Sequence, residues 1–195
     1  MVAQLEAGDI TVVCVFSAVL HFLPEVIRNF RARHPNVMVR IFEEGADEVL
    51  TCVKSGEADF AINDTGMHDP EIEFTPLLHE AFVLACPAGH ALSRRRLVRW
   101  EELADHPYAL VSHASRNRVL IDQALAQVGR RPRPACEVRH ISTLIGLVQS
   151  GLVVAVVPQI TRTLGRVQRA GRSLSPAAQA FVDMLSKASR GRSYQ

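Results

Sequence analysis

The chain has 195 residues, with 22 Lys and Arg against 20 Asp and Glu and a formal net charge of +2. With 48% apolar and 22% charged residues, it can bury the core of one domain or of two small lobes, which excludes global disorder and low-complexity or collagen-like architecture. The longest apolar runs, at 12–20 and 152–158, are too short or too polar for a membrane span of ~20 apolar residues. The N-terminus carries Glu6 and Asp9 without the basic region of a secretory signal, so the cytoplasm is the expected compartment.

Residues 10–16 (ITVVCVF) are apolar and β-branched and predict a strand. Leu20, Leu23, Ile27 and Phe30 then recur at spacings of three and four, which puts them on one helix face, with Pro24 near the start and His34-Pro35-Asn36 as the stop. VMVRIF (37–42) predicts a second strand, 47–55 a short helix closed by Gly56, and ADFAIN (58–63) a third strand. This β-α-β-α-β order implies a parallel sheet with right-handed crossovers. Segments 72–78 and 80–86 are strand candidates separated by a break at His79.

Downstream, residues 100–103 predict a short helix, 108–112 (YALVS) a strand and 119–128 a helix ended by Gly129. A proline-rich connector fills 130–134. Residues 135–138 predict a strand, 141–149 a helix with Gly151 beyond its end, and LVVAVV (152–157) a fully buried strand stopped by Pro158. A second α/β lobe is therefore expected over 86–158. Residues 161–167 are a returning strand candidate, and Ser175-Pro176 opens a closing helix as cap and first position.

Charge is uneven. Between 43 and 80 Lys54 is the only Lys or Arg; between 162 and 192 Asp183 is the only acid. Two solvated faces explain this more simply than a nucleic-acid-binding tail, because 174–185 has the pattern of a packed amphipathic helix. Arg94-Arg95-Arg96 is read as solvated surface. The four cysteines are widely spaced in apolar stretches and are expected as reduced, mostly buried thiols, and neither they nor the eight histidines have metal-site spacing, so no metal is expected.

No catalytic or phosphate-binding motif is present, and the paired carboxylates Glu43-Glu44 and Glu101-Glu102 have the look of acidic turns. An enzyme is not expected, nor a cofactor. The positions suited to a ligand are those where a strand ends and a helix begins, because helix N-termini there present free N–H groups and a positive dipole end. These are Ser17 and Ala18, then Gly45, Ala46 and Asp47, then Asn63 to Thr65. In the second lobe they are Ser115 and Arg118 in SHASRNR (112–118), with Ser142 and Thr143 in HIST (140–143). Arg118 suits a carboxylate. The pattern predicts a binding module for a small anion.

These segments resemble the effector-binding (substrate-binding) domain of LysR-type transcriptional regulators. The resemblance is carried, in order, by LEAGDITV, FLPEVIRNFRARHPNVMVRIFEEG, SGEADFAI, CPAGHALS, TLIGLVQSGLVVAVVP and SLSPAAQAFVDML. It implies a two-lobed, periplasmic-binding-protein-like α/β fold of type 2, with mixed sheets and helices on both faces. The first lobe would be 1–85 completed by 160–195, and the second 86–159. It also implies an effector held between the lobes, with Ser17, Ala46, Asp47, Arg118 and Thr143 lining its site, and side-by-side homodimers. DNA would be reached only through a winged helix-turn-helix, and nothing before Leu5 supplies one, so the chain is read as an excised or truncated domain. The alternatives are a truncated dimerisation partner that senses no ligand, and a solute-binding protein.

Two departures from the family pattern carry expectations. Val153 stands where the family usually has glycine. Between Pro158 and the closing helix about 20 residues fewer are present than the pattern implies, although ordinary connections span only ~4–6 residues. Either residues are missing from the sequence there or the second lobe lacks its last helix, and in the latter case a sheet face would lie exposed.

Overall fold

The structure is a computed structural model and describes residues 7–190, apart from residues 22, 65–68, 114 and 129–132. Thr65, Gly129, most of the connector and the last basic residue of the tail, Arg192, singled out above, lie outside the described residues. The chain divides into two compact units, Met1–Glu80 with Ile160–Gln195, and Ala81–Gln159.

In the first unit β1 (Gly8–Cys14) lies between β2 (Val37–Glu43) and β3 (Phe60–Asp64), parallel to both, with Cys14 opposite Glu43 on one side and Ile62 on the other. α1 (Phe16–His21) and α2 (Leu23–Arg33) connect β1 to β2, and α3 (Ala46–Ser55) connects β2 to β3. The parallel order and its helical crossovers follow the sequence pattern. Strand alternation decides which side chains meet which helices. Ile10, Val12, Cys14, Phe60 and Ile62 point into one apolar cluster with Leu23, Val26 and Phe30 of α2. Val13 and Ala61 point the other way, onto Val49 and Val53 of α3. α7 (Pro176–Arg190) closes the first cluster with Phe181, whose ring centroid lies 5.0 Å from that of Phe30. Its start is capped as its sequence dictates: the Ala178 N–H donates to Ser175 Oγ at 3.1 Å.

The second unit repeats the logic on fewer strands. β5 (Tyr108–Val111) runs parallel to β6 (Cys136–Val138) and to the beginning of β7 (Val154–Arg169). Tyr108, Leu110, Val154 and Val156 face α4 (Trp100–Leu103) and α5 (Arg116–Gln127), meeting Leu103, Ile121 and Leu125. Ala109, Val111, Val153 and Ala155 face α6 (Ile141–Gln149), meeting Leu144 and Val148.

Three expectations change. The helix read over residues 20–30 is two helices, α1 and α2. The two strand candidates around His79 are one strand, β4 (Ile72–Ala85), which pairs with β7. The strands on either side of Pro158 are likewise one strand, β7, which passes through the proline. Proline removes a donor, but its φ is compatible with extended backbone, so it ends a strand only where the missing N–H is needed. An exposed sheet face, expected only if that helix were missing, is not found at β5. β5 is buried on both faces, by α4 and α5 on one side and α6 on the other, and Val153 fills space in the α6 cluster.

β7 then serves the first unit as an antiparallel partner of β3, with Ile62 opposite Arg166. The polar Arg166 is accommodated because its Nη2 donates to Thr75 Oγ1 at 3.0 Å. Next to it Gly165 is obligatory by space, since a Cβ there would overlap the Phe74 ring and the Thr75 carbonyl. Gly56 is obligatory by conformation: it ends α3 at φ 81°, and its N–H donates to Val53 O.

Candidate functional site

In the first unit, parallel pairing brings the carboxyl ends of β1, β2 and β3 to one edge, which the Val15 N–H to Ile62 O and Glu44 N–H to Cys14 O bonds of 3.1 Å hold level. Ser17 follows β1 as the second residue of α1 and is 9% exposed. Ala18 is wholly buried, and its N–H donates to Val15 O at 3.0 Å. Ala46 opens α3 and is joined to Asn63. The buried Asn63 donates through Nδ2 to Ala46 O at 2.8 Å, and its Oδ1 accepts the Asp64 N–H at 2.8 Å. Both ends of this amide are therefore used to fasten β3 to the start of α3. Asp47 is exposed, and its carbonyl accepts from Thr51 Oγ1.

The N-terminus of α3 already has anions of its own. Asp47 and Glu48 lie in its first turn, and a Cβ on Gly45 would run into the Glu48 carboxylate. These charges satisfy the helix dipole and disfavour a second anion. A shallow depression of about 190 Å³ in this unit is lined by Val13, Phe42, Glu44, Cys52, Glu57 and Ala58, and contains none of the expected residues. Cys14, also expected as a buried thiol, is pushed up to about 12, first by burial and then by the charge of Glu43.

The second unit brings the ends of β5 and β6 together in the same way. Val111 lies opposite Val138, and the Ser112 N–H donates to Val138 O at 2.8 Å. α5 starts after Ser115 and α6 after His140, and neither residue caps its helix with a side chain. Neither helix has an acid in its first turn. Ser142 and Thr143 are exposed in the first turn of α6. The leading N–H groups of such a helix have no partner within it, so both ends are electropositive and, unlike α3, carry no first-turn acid.

Arg118 is 7% exposed and lies on the stripe of α5 that also buries Ile121 and Leu125. Its guanidinium is paired, but with carboxylates of its own chain. Nε is 2.9 Å and 3.0 Å from the two Asp122 oxygens, and Nη1 donates to Glu137 Oε2 and to Val111 O, each at 3.0 Å. Nη2 lies 3.1 Å from His113 Nε2. Burial opposes the charge of Arg118, but the hydrogen bonds and charges of Asp122 and Glu137 outweigh it and raise its pKa above the ordinary value. Sequence reasoning missed Asp122, Glu137 and His113. Asp122 had a signal, because an acid four residues after an arginine faces it across one helical turn. Glu137 had none, since it meets Arg118 only through the pairing of β5 with β6.

Among the described residues no three His, Cys, Asp or Glu side chains converge as a metal site, and no helix is long and apolar enough to cross a membrane.

Residues 3–163 match the family model of the LysR substrate binding domain. An HTH-type transcriptional regulator of Escherichia coli (strain K12), YbhD, is 38% identical over 198 residues. The match covers 91% of this chain and 62% of that regulator, so the chain spans just over three-fifths of its length. Among solved structures, the effector binding domain of QuiR in complex with shikimate superposes with a TM-score of 0.78 at 23% identity, covering 96% of this chain and 99% of that one. The BenM effector binding domain with its effector benzoate gives a TM-score of 0.76 at 20% identity, covering 96% and 95%. At such identities these two likenesses establish the two-lobed fold, whereas the family match extends over most of the sequence. The chain therefore belongs to the LysR substrate-binding-domain family, the effector-binding domains of LysR-type transcriptional regulators.

Proposed function

We propose that this domain senses a small anionic metabolite in the cytoplasm and, within a homodimeric regulator, transmits its occupancy to a DNA-binding helix-turn-helix. The observation that carries the anionic preference is the pair of acid-free helix starts in the second unit. α5 and α6 begin without a side-chain cap and without a first-turn acid, next to the hydroxyls of Ser115, Ser142 and Thr143. Hydroxyls and free N–H groups at a positive dipole end are the equipment for a carboxylate. In the first unit Ser17 is the corresponding candidate. Asn63 and Ala46 hold that edge in shape, while Asp47 makes it less hospitable to negative charge. Benzoate and shikimate, the ligands of the two related domains, are both carboxylates, which supports the class without fixing the compound.

The effect on transcription follows from linkage. A ligand shifts a conformational equilibrium only by its difference in affinity for the two states. The test is a thermal melt of the chain against a panel of small carboxylates, including benzoate and shikimate, each beside its uncharged amide. A ligand at about 100 times its Kd stabilises the folded state by about 2.7 kcal/mol, or ~5–10 °C for a chain of this size. Carboxylates that shift the midpoint where their amides do not support the proposal. Equal shifts from the amides overturn the anionic preference, and a melt indifferent to a broad metabolite panel overturns sensing.

A further inference from the structure

Arg118 carries the charge expected of a ligand contact, yet its surroundings give it a different task. Its guanidinium contributes one positive charge and faces two carboxylates, Asp122 and Glu137. An anion approaching it would meet a centre already over-neutralised, and repulsion from the surplus carboxylate would offset the attraction. Four of its five N–H groups are also committed, to Asp122, Glu137, Val111 O and His113 Nε2. Guanidinium can only donate, so in this contact His113 Nε2 is the acceptor.

These partners lie at separate points of the chain. Val111 is the last residue of β5, His113 belongs to the loop that leads to Ser115, Asp122 is one turn further along α5, and Glu137 is the middle residue of β6. β6 runs directly into the loop before Ser142 and Thr143. Beyond the strand pairing, the Ser112 N–H to Val138 O bond adds a backbone tie at this end of the two strands.

We propose that Arg118 is a positioning residue that fixes the β5–α5 junction (112–118) and the β6–α6 junction (139–143) in one frame, so that Ser115 and the Ser142–Thr143 turn hold a constant spacing for the ligand. This rests on the binding role proposed above for those hydroxyls. A planar guanidinium suits the task because its donors leave in fixed directions, whereas an ammonium is a point charge on a flexible stem.

Glu137→Gln and Arg118→Lys test this with conservative changes. Glu137→Gln removes the charge that ties Arg118 to β6 and keeps the side chain's shape. Arg118→Lys keeps the charge and loses the fork. Amide hydrogen exchange on the ligand-free chain is read for 112–118, 139–143 and, as a remote reference, α7. Both variants are expected to speed exchange in both junctions by about tenfold, the equivalent of one charge-assisted hydrogen bond, with α7 unchanged. Faster exchange confined to the substituted residue's own segment, or spread equally to α7, overturns the proposal.

Affinity for benzoate and for shikimate is measured in parallel. For either compound that the wild-type chain binds, both variants are expected to weaken binding by a similar factor. If Arg118 instead touched the anion, Arg118→Lys would weaken binding while Glu137→Gln, by removing a competing carboxylate, would strengthen it. Failure of the wild-type chain to bind either probe counts against those ligands, and the exchange result still decides the role of Arg118.

Discussion

The two units fasten their strand ends to their helices by different chemistry. The first uses a neutral clamp, the buried Asn63 amide between Ala46 O and the Asp64 N–H, and supplies the α3 terminus with its own acids. The second uses an ionic clasp around Arg118 and leaves the ends of α5 and α6 without caps. The difference shows how a helix dipole can be spent or saved. At α3 it is satisfied within the chain, so that edge is shaped but electrostatically closed. At α5 and α6 it remains available, and the compensating carboxylates are drawn aside to Arg118.

The largest perturbation separates the units outright. Phe181 is wholly buried against Phe30 and Phe60, and Phe181→Ala is expected to cost ~3–5 kcal/mol from lost burial and the cavity left behind. The loss should fall on the first unit. Trp100, the only tryptophan, packs in the second unit, so its fluorescence should report a later transition than circular dichroism in a denaturant titration. Coincident transitions would mean that the units melt as one.

Truncating the two fasteners compares neutral with ionic chemistry directly. Asn63→Ala leaves the Ala46 carbonyl and the Asp64 N–H without their partner, for a loss of about 2 kcal/mol. Arg118→Ala is expected to cost a similar ~2 kcal/mol, less than a fully buried pair would lose, because the Asp122 and Glu137 side chains are 42% and 44% exposed and can rehydrate. Salt tells them apart: the Arg118→Ala deficit should shrink toward about 1 M salt, where charges are screened, and the Asn63→Ala deficit should not. A smaller effect, ~1 kcal/mol, is expected for Ser175→Ala from loss of the α7 cap in the first unit, read as a shift in denaturant midpoint without a change in slope.

Acid gives the smallest difference. Asp69 in the first unit is held below its ordinary 3.8 by the hydrogen bond with Lys54 foremost, then by the Glu71 N–H. Glu102 in the second is held below 4.5 by the Arg99 N–H foremost, with Arg95 adding to it against a burial cost. Because the folded pKa is the lower one in each case, the unfolded chain takes up protons first. Each contribution is complete above the unfolded value and is lost as pH falls through the folded one. Stability is therefore expected to fall below about pH 4, and Asp69→Asn and Glu102→Gln should each flatten that fall in urea titrations.

Local pattern and local chemistry made much of the fold legible. The apolar, β-branched run ITVVCVF, the Ser175-Pro176 cap and the stop at Gly56 each act within a few residues; α7 starts and α3 ends where those signals lie, while β1 covers 8–14 and leaves Phe16 to α1. The long strands β4 and β7 were harder to read. His79 and Pro158 are breaks by local propensity, and only the pairing of β4 with β7 overrides them. The helix-start positions also followed from sequence, because Ser115, Ser142 and Thr143 sit where strand turns to helix.

What those positions have available for a ligand depended on contacts remote in sequence. The chain by itself determined the β/α order, the two apolar faces of each sheet and the family it belongs to, since periodicity and motif order are written along the backbone. Tertiary structure decided that Asn63 is spent on Ala46 and Arg118 on Glu137. A polar side chain's partner is set by tertiary packing, of β3 on α3 for Asn63 and of β5 with β6 for Arg118, which brings together residues 17 and 19 positions apart, and hydrogen-bonding capacity used within the chain is no longer free for a ligand.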